Sequence, residues 1–184
     1  MNKSADIHDV DSLTAAIRGG CRPTYLFFWG HTAKDDRIGK HVLSQWWPAT
    51  FAIDNHSYPT AEHYMMAAKA RLFHDADTCD RILATTDPAL AKKLGRDVRG
   101  YSDERWVKER VQVAVRANTA KFAQNADLKE WLLATKDAVL VEASPVDRIW
   151  GIGLAADDKR AGDPENWRGL NLLGFALMQA PAAL

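Results

Sequence analysis

Short apolar runs bounded by turn-forming residues predict a few short strands. Residues 25–29 form an aromatic run that Gly30 closes, which is typical of a buried strand. Asp54 and Asn55 separate two other short runs, and because both residue types tolerate positive φ, they predict a two-residue hairpin turn. The strands on the two sides of that turn are predicted at 51–53 and 56–58, and a fourth strand is predicted at 139–142.

Longer segments carry helix start and stop signals. Thr60 is a suitable N-cap, Glu62 falls in the first turn, where the helix dipole favours a carboxylate, and no breaker follows before Phe73. Asp87 and Gly95 predict the cap and the stop of another helix. The predicted helices are Asp11–Arg18, Ala61–Phe73, Asp77–Ala84, Pro88–Leu94, Asp103–Phe122, Ala126–Thr135 and Asn171–Gln179. Because helix dominates and the strands do not alternate regularly with helices, the predicted class is α+β, a compact and mostly helical domain.

Length and charge limit the organisation of the chain. At 184 residues it has the size of one domain. Residues 1–22 are polar and contain Gly19-Gly20, so we expect a loosely attached leader followed by a single domain over 23–184. Lys plus Arg and Asp plus Glu are equal at 24 each, so no overall field attracts a polyanion. An anionic substrate must therefore be met by local charges.

Cysteine usage and hydropathy indicate a cytoplasmic protein. Cys21 and Cys79 are too few and too distant for a disulfide framework or a zinc knuckle, which favours unpaired thiols in a reducing compartment. No stretch approaches the roughly 18 apolar residues of a membrane span. Residues 1–6 lack the apolar core of a signal peptide.

The chain contains seven tryptophans, which is the unusual feature of its composition. Trp29 and Trp150 are each followed by glycine, and Trp46 precedes Trp47 and Pro48. Aromatic side chains in turns often line a ligand site, although large rings also close the ends of small cores. Both interpretations are open for any single tryptophan.

Glu62 and Lys69 lie seven residues apart on one predicted helix. Seven steps of ~100° return to within about 20° of the start, so the two side chains share a face, with a rise of about 10 Å between them. Met66 lies between them, and the stripe could form the floor of a pocket. A glutamate and a lysine on one face are more often solvated, so the spacing alone decides nothing. His63 does not begin an HExxH metal motif, because Ala67 occupies the second histidine position.

Two further places carry candidate chemistry. Asp147 lies in a turn after the fourth strand, and Gly151 would let backbone N–H groups approach a ligand there, although a plain turn is the alternative. Arg96 follows the predicted stop at Gly95, and its planar guanidinium suits a phosphate, as do the free N–H groups of a helix beginning at Pro88. A surface salt bridge is the alternative for Arg96.

Several blocks of this sequence, taken together and in this order, resemble the NADAR family. The resemblance runs from about residue 25 to residue 178. The residues that carry it are 58–65 (Tyr-Pro-Thr-Ala-Glu-His-Tyr-Met), Lys69-Ala70, 91–96 (Ala-Lys-Lys-Leu-Gly-Arg), Lys121-Phe122, 140–144 (Leu-Val-Glu-Ala-Ser), Asp147, 150–153 (Trp-Gly-Ile-Gly) and 167–174 (Trp-Arg-Gly-Leu-Asn-Leu-Leu-Gly). Residues 44–48 and Leu170 depart from the commoner family pattern.

The resemblance implies a compact α+β fold and N-glycosidase activity, which cleaves the bond between a ribose C1 and a nitrogen. It implies two competing substrate classes. One is a phosphorylated riboside of the kind formed early in riboflavin biosynthesis, and the other is an ADP-ribosyl group on guanine in nucleic acid. We expect no metal, because no group of ligands has metal spacing, and no cofactor.

Cleavage of an N-riboside requires a carboxylate and an acid near the leaving nitrogen. The expected catalytic residues are Glu62 as general acid or base, Lys69 as nucleophile or electrostatic partner, and Asp147 positioning a ribose hydroxyl or water. The expected substrate-binding residues are Trp150 against the base, Arg96 on phosphate, Asn171 as a hydrogen-bond donor or a plain helix cap, Trp29 and Trp46 in an aromatic wall, and Gly151.

Two other functions fit the sequence less well. A module that binds ADP-ribose or a nucleotide without turnover would use the same pocket, but the presence of both Glu62 and Lys69 favours an enzyme. An interaction protein would dock a partner on its tryptophan-rich turns, which would then lie away from Glu62.

Overall fold

A computed structural model describes residues 7–33 and 37–183, and predictions for residues 1–6 and 34–36 lie outside the described residues. Seven helices and four strands are present in that part of the chain, together with three short 3₁₀ turns at Lys40–Leu43, Pro164–Asn166 and Ala180–Ala183. In chain order the elements are α1 (Val10–Arg18), β1 (Tyr25–Phe28), β2 (Phe51–Ile53), β3 (His56–Tyr58), α2 (Ala61–Leu72), α3 (Ala76–Ala84), α4 (Pro88–Arg96), α5 (Asp103–Ala123), α6 (Ala126–Ala134), β4 (Val139–Glu142) and α7 (Leu172–Gln179). The predicted α+β class is confirmed.

The strands form two separate pairs. β1 and β4 are parallel, with Tyr25 opposite Val139 and Phe28 opposite Glu142. β2 and β3 are antiparallel and form the predicted hairpin. Asp54 and Asn55 adopt φ values of 52° and 62° at its turn, the left-handed region that this turn type requires.

α2 is the central helix of the domain and packs against α3, α4 and α5. Thr60 caps it by accepting a hydrogen bond from the backbone N–H of His63, as predicted. Alanines at 61, 67 and 70 are fully buried and allow neighbouring helices to approach closely. Because α3, α4 and α5 cover much of α2, its polar residues Glu62 and His63 are buried and Lys69 is half-buried, whereas Arg71 near the end of the helix is exposed.

The predicted end of α4 is wrong. Gly95 does not stop the helix, which continues to Arg96. A Cβ on Gly95 would collide with the sulfur of Met66, so the glycine is required where α4 crosses α2. The close packing of α4 on α2 therefore explains Gly95, although a glycine at such a position commonly marks the C-terminal end of a helix.

The remaining elements complete the core and the surface. α7 packs against both α5 and β4, so it joins the helical layer to the parallel strand pair. Leu13 of α1 is fully buried in a cluster with Val139 and Phe175, which attaches α1 to the domain. The division between a leader at 1–22 and a domain at 23–184 stays a prediction. None of the helices within 7–33 and 37–183 has the length and hydropathy needed to cross a bilayer.

Candidate functional site

A cavity of about 320 Å³ opens between α2, α4 and the segment that joins β4 to α7. Its volume falls in the range of ~300–1,000 Å³ typical of small-molecule sites. Six of the predicted site residues line it: Trp46, Glu62, Lys69, Arg96, Asp147 and Trp150. The other lining residues are Ser44, Gln45, Met65, Met66, Lys92, Gly95, Glu142, Ile149 and Leu173.

Glu62 lies at the first turn of α2 and is only 5% exposed. Its backbone N–H donates to the Gln45 carbonyl at 2.9 Å, which joins the helix start to the loop that carries Trp46. Burial raises the pKa of its carboxyl, and Asp147 raises it further. Lys92, the indole N–H of Trp46 and Arg96 act in the opposite direction, because each stabilises the anion.

Glu142 is a cavity residue that the sequence analysis did not propose. It ends β4, and because side chains alternate along a strand, it faces the same side as the buried Leu140. Burial is the main reason that its pKa rises to about 8, with contributions from Asp147 and Glu62, while Lys92 lowers it. An acid that ends an apolar strand just before a predicted turn was the signal that could have identified it.

Asp147 is fixed by its own turn. Its Oδ1 accepts hydrogen bonds from the backbone N–H groups of Ile149 and Trp150, both at 2.8 Å. The hydroxyl of Ser144 accepts the backbone N–H of Asp147 at 3.2 Å. This arrangement orients the carboxylate and leaves its second oxygen free of these two bonds.

Lys69 lies on α2, about two helical turns after Glu62. Its Nζ donates to the carbonyl of Gly95 at 2.7 Å and lies 4.2 Å from the centre of the Tyr101 ring. Burial lowers the pKa of this lysine. The carbonyl and the aromatic face both favour the ammonium, so Lys69 is held in a defined position while its proton is made easier to lose.

Lys92 and Arg96 place positive charge on the opposite wall, one helical turn apart on α4. The Nζ of Lys92 lies 5.7 Å from the Trp46 ring centre, and the same ring contacts His31 at a centroid distance of 5.6 Å. Arg96 is exposed at the rim. The cavity therefore has an acidic interior and a cationic, aromatic edge.

Lys121 holds the chain at Val42 and Ser44, just before Trp46, by hydrogen bonds, and the sequence analysis did not propose it as a site residue. It is fully buried on α5, and its Nζ donates to the carbonyls of Val42 at 2.6 Å and Ser44 at 2.9 Å. Burial lowers its pKa to about 7. Ser44 begins the loop that contributes Gln45 and Trp46 to the cavity, so Lys121 positions that wall.

The structure does not place three predicted residues in the cavity. Trp29 is 58% exposed and lines a separate surface depression with Lys40 and His41. Gly151 is buried, and a Cβ there would lie 2.7 Å from the Glu142 carbonyl, so close packing explains the glycine.

Asn171 is the third. It is fully buried at the start of α7 and makes no side-chain capping bond. Its side chain instead bridges the backbone of β4, donating to the Leu140 carbonyl and accepting the Glu142 N–H, both at 2.9 Å. Neither alternative given for Asn171, ligand donor or plain cap, describes this bridge.

Within the described part of the chain, no group of three or more His, Cys, Asp or Glu side chains is arranged to hold a metal ion. His63 is buried, and its Nδ1 shares a hydrogen bond with the Thr60 hydroxyl at 2.8 Å. Cys21 and Cys79 are free thiols.

The fold and the cavity define a compact α+β protein whose site combines buried carboxylates with lysines, an arrangement suited to acid–base chemistry. The chain belongs to the NADAR domain family, whose profile matches residues 27–184. The family resemblance inferred from the sequence blocks is thereby confirmed.

Relatives of established name agree with this assignment. An N-glycosidase of Acanthamoeba polyphaga mimivirus is 42% identical over 161 residues, which cover 84% of this chain and 93% of that protein. The N-glycosidase YbiA of Escherichia coli is 35% identical over 133 residues, which cover 72% of this chain and 73% of that protein. The NMR structure of E. coli YbiA superposes with a TM-score of 0.69 at 30% identity and covers 88% of this chain and 85% of that one.

A further relative is a riboflavin biosynthesis protein of Vibrio vulnificus, 33% identical over 142 residues, which cover 77% of this chain and 36% of that longer protein. The prediction of an enzyme, rather than a binding module or an interaction protein, is confirmed at the level of the family's N-glycosidases.

Proposed function

We propose that this protein hydrolyses the bond between a ribose C1 and a nitrogen in a phosphorylated riboside. The observation that carries the proposal is the meeting of Glu62, Lys69 and Asp147 in one cavity, although up to 85 positions separate them along the chain. The cleavage requires an acid and a carboxylate, and an amine can add a covalent route. The N-glycosidase names of the relatives support the same reaction.

Glu62 and Asp147 have different surroundings, so we propose a different role for each. Burial raises the pKa of Glu62, but Lys92, the Trp46 indole and Arg96 stabilise its anion, so we assign Glu62 the role of base toward water or a ribose hydroxyl. Asp147, oriented by its turn, positions the attacking water or a ribose hydroxyl. As the C1–N bond breaks, its electron pair leaves with the nitrogen, and the positive charge that develops at C1 faces these acidic groups.

Two roles fit Lys69. As an electrostatic partner, its ammonium would stay on the Gly95 carbonyl and hold the phosphate or a ribose oxygen. As a nucleophile, its neutral amine would add to C1 of the opened ribose and form an imine that water then hydrolyses. The lowered pKa of Lys69 supports the second role, because a neutral amine is required.

The edge of the cavity supports a phosphorylated substrate with a flat base. Arg96 at the rim has the planar donors that suit a phosphate. Trp46 and Trp150 offer aromatic faces to a base. A volume of about 320 Å³ suits one base, one ribose and one phosphate, which favours a ribosylaminopyrimidine phosphate of riboflavin biosynthesis. The Vibrio relative named for riboflavin biosynthesis supports the same substrate class.

The second candidate substrate is an ADP-ribosyl group on guanine in nucleic acid. One observation favours it: Trp29 is 58% exposed, two residues before His31, which contacts Trp46 at the cavity rim. Exposed aromatic faces next to a site bind unstacked bases. The equal counts of 24 acidic and 24 basic residues disfavour it, because no general field attracts a nucleic acid.

Release of the free base tests the proposal. The purified protein is incubated with a ribosylaminopyrimidine phosphate and, separately, with DNA carrying ADP-ribosylated guanine, and products are identified by mass. We expect free pyrimidine base and ribose phosphate from the first substrate, and no release by Glu62→Gln. Release only from the DNA would favour the second candidate. Binding of both ligands without release of base from either would overturn the proposed activity.

A further inference from the structure

Glu142 lines the cavity, but none of the roles proposed above involves it. Its Oε2 is buried, and no described residue of the protein offers that atom a hydrogen-bond partner. The side chain nevertheless lines the cavity. A buried carboxylate oxygen without a donor is costly as an anion, whereas a protonated one keeps its charge at zero and can donate to a ligand.

The backbone of Glu142 is fixed on three sides. Asn171 Oδ1 accepts its N–H at 2.9 Å, and its carbonyl accepts the N–H of Ile152 at 2.9 Å. Pairing with Phe28 in the parallel strands holds the residue from the side. A side chain on such a rigid base can keep a proton at a defined place in the cavity.

The charged groups around Glu142 distinguish it from Glu62. Glu62 and Asp147 both repel a charge on Glu142, and Lys92 alone offsets them. Burial also raises the pKa of Glu62, but Lys92, the indole N–H of Trp46 and Arg96 all stabilise its anion. A proton shared by these carboxyls is best held by Glu142, whose Oε2 is buried with no donor among the described residues, whereas Glu62 has Lys92, Arg96 and the Trp46 indole around its anion.

We infer that Glu142 is the general acid of the reaction and delivers its Oε2 proton to the leaving nitrogen, while Glu62 acts as the base. The inference rests on the proposed function. The proton moves from Glu142 to the nitrogen, the electron pair of the C1–N bond goes to that nitrogen, and water adds to C1, either directly or by hydrolysis of the imine with Lys69. The water gives one proton to Glu62, and exchange with solvent returns both carboxyls to their starting states. The net reaction consumes the riboside and one water.

The assignment predicts opposite pH behaviour for two isosteric variants. In the wild-type protein, kcat/KM should fall as pH rises past about 8, because Glu142 must be protonated to act. Glu142→Gln should lower kcat/KM about 100- to 10,000-fold and remove that alkaline limb. Glu62→Gln should instead remove the acidic limb, because it removes the base. Glu142→Asp keeps a transferable proton and should keep the alkaline limb at a reduced rate.

The leaving group provides an independent measurement. Nicotinamide riboside phosphate has a pyridinium leaving group that departs as a neutral molecule, so it needs no proton. The deficit of Glu142→Gln should therefore shrink at least about tenfold on this substrate relative to a ribosylaminopyrimidine phosphate. Equal deficits on the two substrates would contradict proton delivery by Glu142.

Burial lowers the pKa of Lys121 to about 7, so this lysine provides a control for the alkaline limb. Lys121→Met should keep the limb if Glu142 causes it. An alkaline limb that persists unchanged in Glu142→Gln, or a rate within about threefold of wild type, would overturn the role of Glu142. If Glu142→Gln does not fold, an unchanged rate in Glu142→Asp overturns it instead. A wild-type protein that releases no base from any riboside would overturn the proposed function itself, which is a separate result.

Discussion

The side-chain amide of Asn171 bridges the strand that carries Glu142. Its Oδ1 accepts the Glu142 N–H and its Nδ2 donates to the Leu140 carbonyl, both at 2.9 Å. Asn171 itself has a left-handed backbone with φ of 51°, which asparagine tolerates better than most residues. A residue outside the cavity therefore determines where a cavity carboxyl sits.

Asn171→Ala should destabilise the protein by about 2–5 kcal/mol, because it leaves two buried backbone groups without partners. The free energy of unfolding in denaturant measures the effect. Asn171→Gly also loses the bridge but suits a positive φ, so it should be less damaging by about 1 kcal/mol. A loss below about 0.5 kcal/mol in the alanine variant would show that the bridge contributes little.

Borohydride trapping tests the covalent role of Lys69. An imine between its amine and C1 of an opened ribose is reducible, so borohydride added during turnover should leave a sugar phosphate mass on the peptide that contains Lys69. Lys69→Arg keeps the charge but, with a pKa above about 12, supplies no neutral amine, so turnover should be nearly abolished while ligand binding is largely kept. Lys93→Arg, on an exposed position of α4, is the matched control. An unmodified peptide together with substantial activity in Lys69→Arg would leave this lysine an electrostatic partner only.

Lys121 predicts a dependence of stability on pH. Its pKa falls from 10.5 to about 7 on folding, so between these values the folded protein holds a neutral amine and the unfolded chain an ammonium. The unfolded state then binds more protons, and the free energy of unfolding should rise with pH across this window. The two N–H groups of the neutral amine still satisfy the carbonyls of Val42 and Ser44.

Lys121→Met removes this group and should flatten the rise of stability with pH. It should also lower stability by about 1–3 kcal/mol for each carbonyl left unpaired. Denaturant unfolding at several pH values between 7 and 10.5 measures both effects. Lys108→Met on the exposed side of α5 is the control and should change stability by less than about 0.5 kcal/mol. The same slope in wild type and Lys121→Met would contradict the assignment.

Gly95→Ala tests the crossing of α2 and α4. The added methyl group would collide with Met66, which lines the cavity, so we expect a loss of about 1–3 kcal/mol and weaker ligand binding. Thermal unfolding and the affinity for ribose phosphate check the two effects. Gly162→Ala adds the same group where no atom lies within 4 Å, so its stability should stay near that of wild type. Equal unfolding midpoints in the two variants would show that Met66 adapts without cost.

Local signals were sufficient for most of the fold. The start of α2 was predictable because Thr60 and Glu62 act within one turn, and the hairpin because Asp54 and Asn55 adopt positive φ. The end of α4 was not predictable, because Gly95 is required by its close contact with Met66 of α2 and not by a helix end. A residue selected by tertiary contact carries the same local signal as one selected by backbone geometry.

The candidate site, like the fold, was predictable from the sequence only in part. The spacing of Glu62 and Lys69 placed both on one helix face, but that face is enclosed by α4 and by the segment that carries Asp147 and Trp150. Glu142 and Lys121 escaped notice because a strand-end glutamate and a helical lysine are usually solvated. Their importance follows from long-range packing, which in the case of Lys121 joins residues 77 and 79 positions apart.

The most direct test of the account is the mass of the products formed from a ribosylaminopyrimidine phosphate in the presence of EDTA. The account predicts free base and ribose phosphate in equal amounts, an unchanged rate with the chelator, and no products from Glu62→Gln. A rate abolished by EDTA and restored by a divalent ion would contradict the metal-free mechanism. A substrate that binds and remains intact with the wild-type protein would contradict the central claim that this cavity cleaves an N-glycosidic bond.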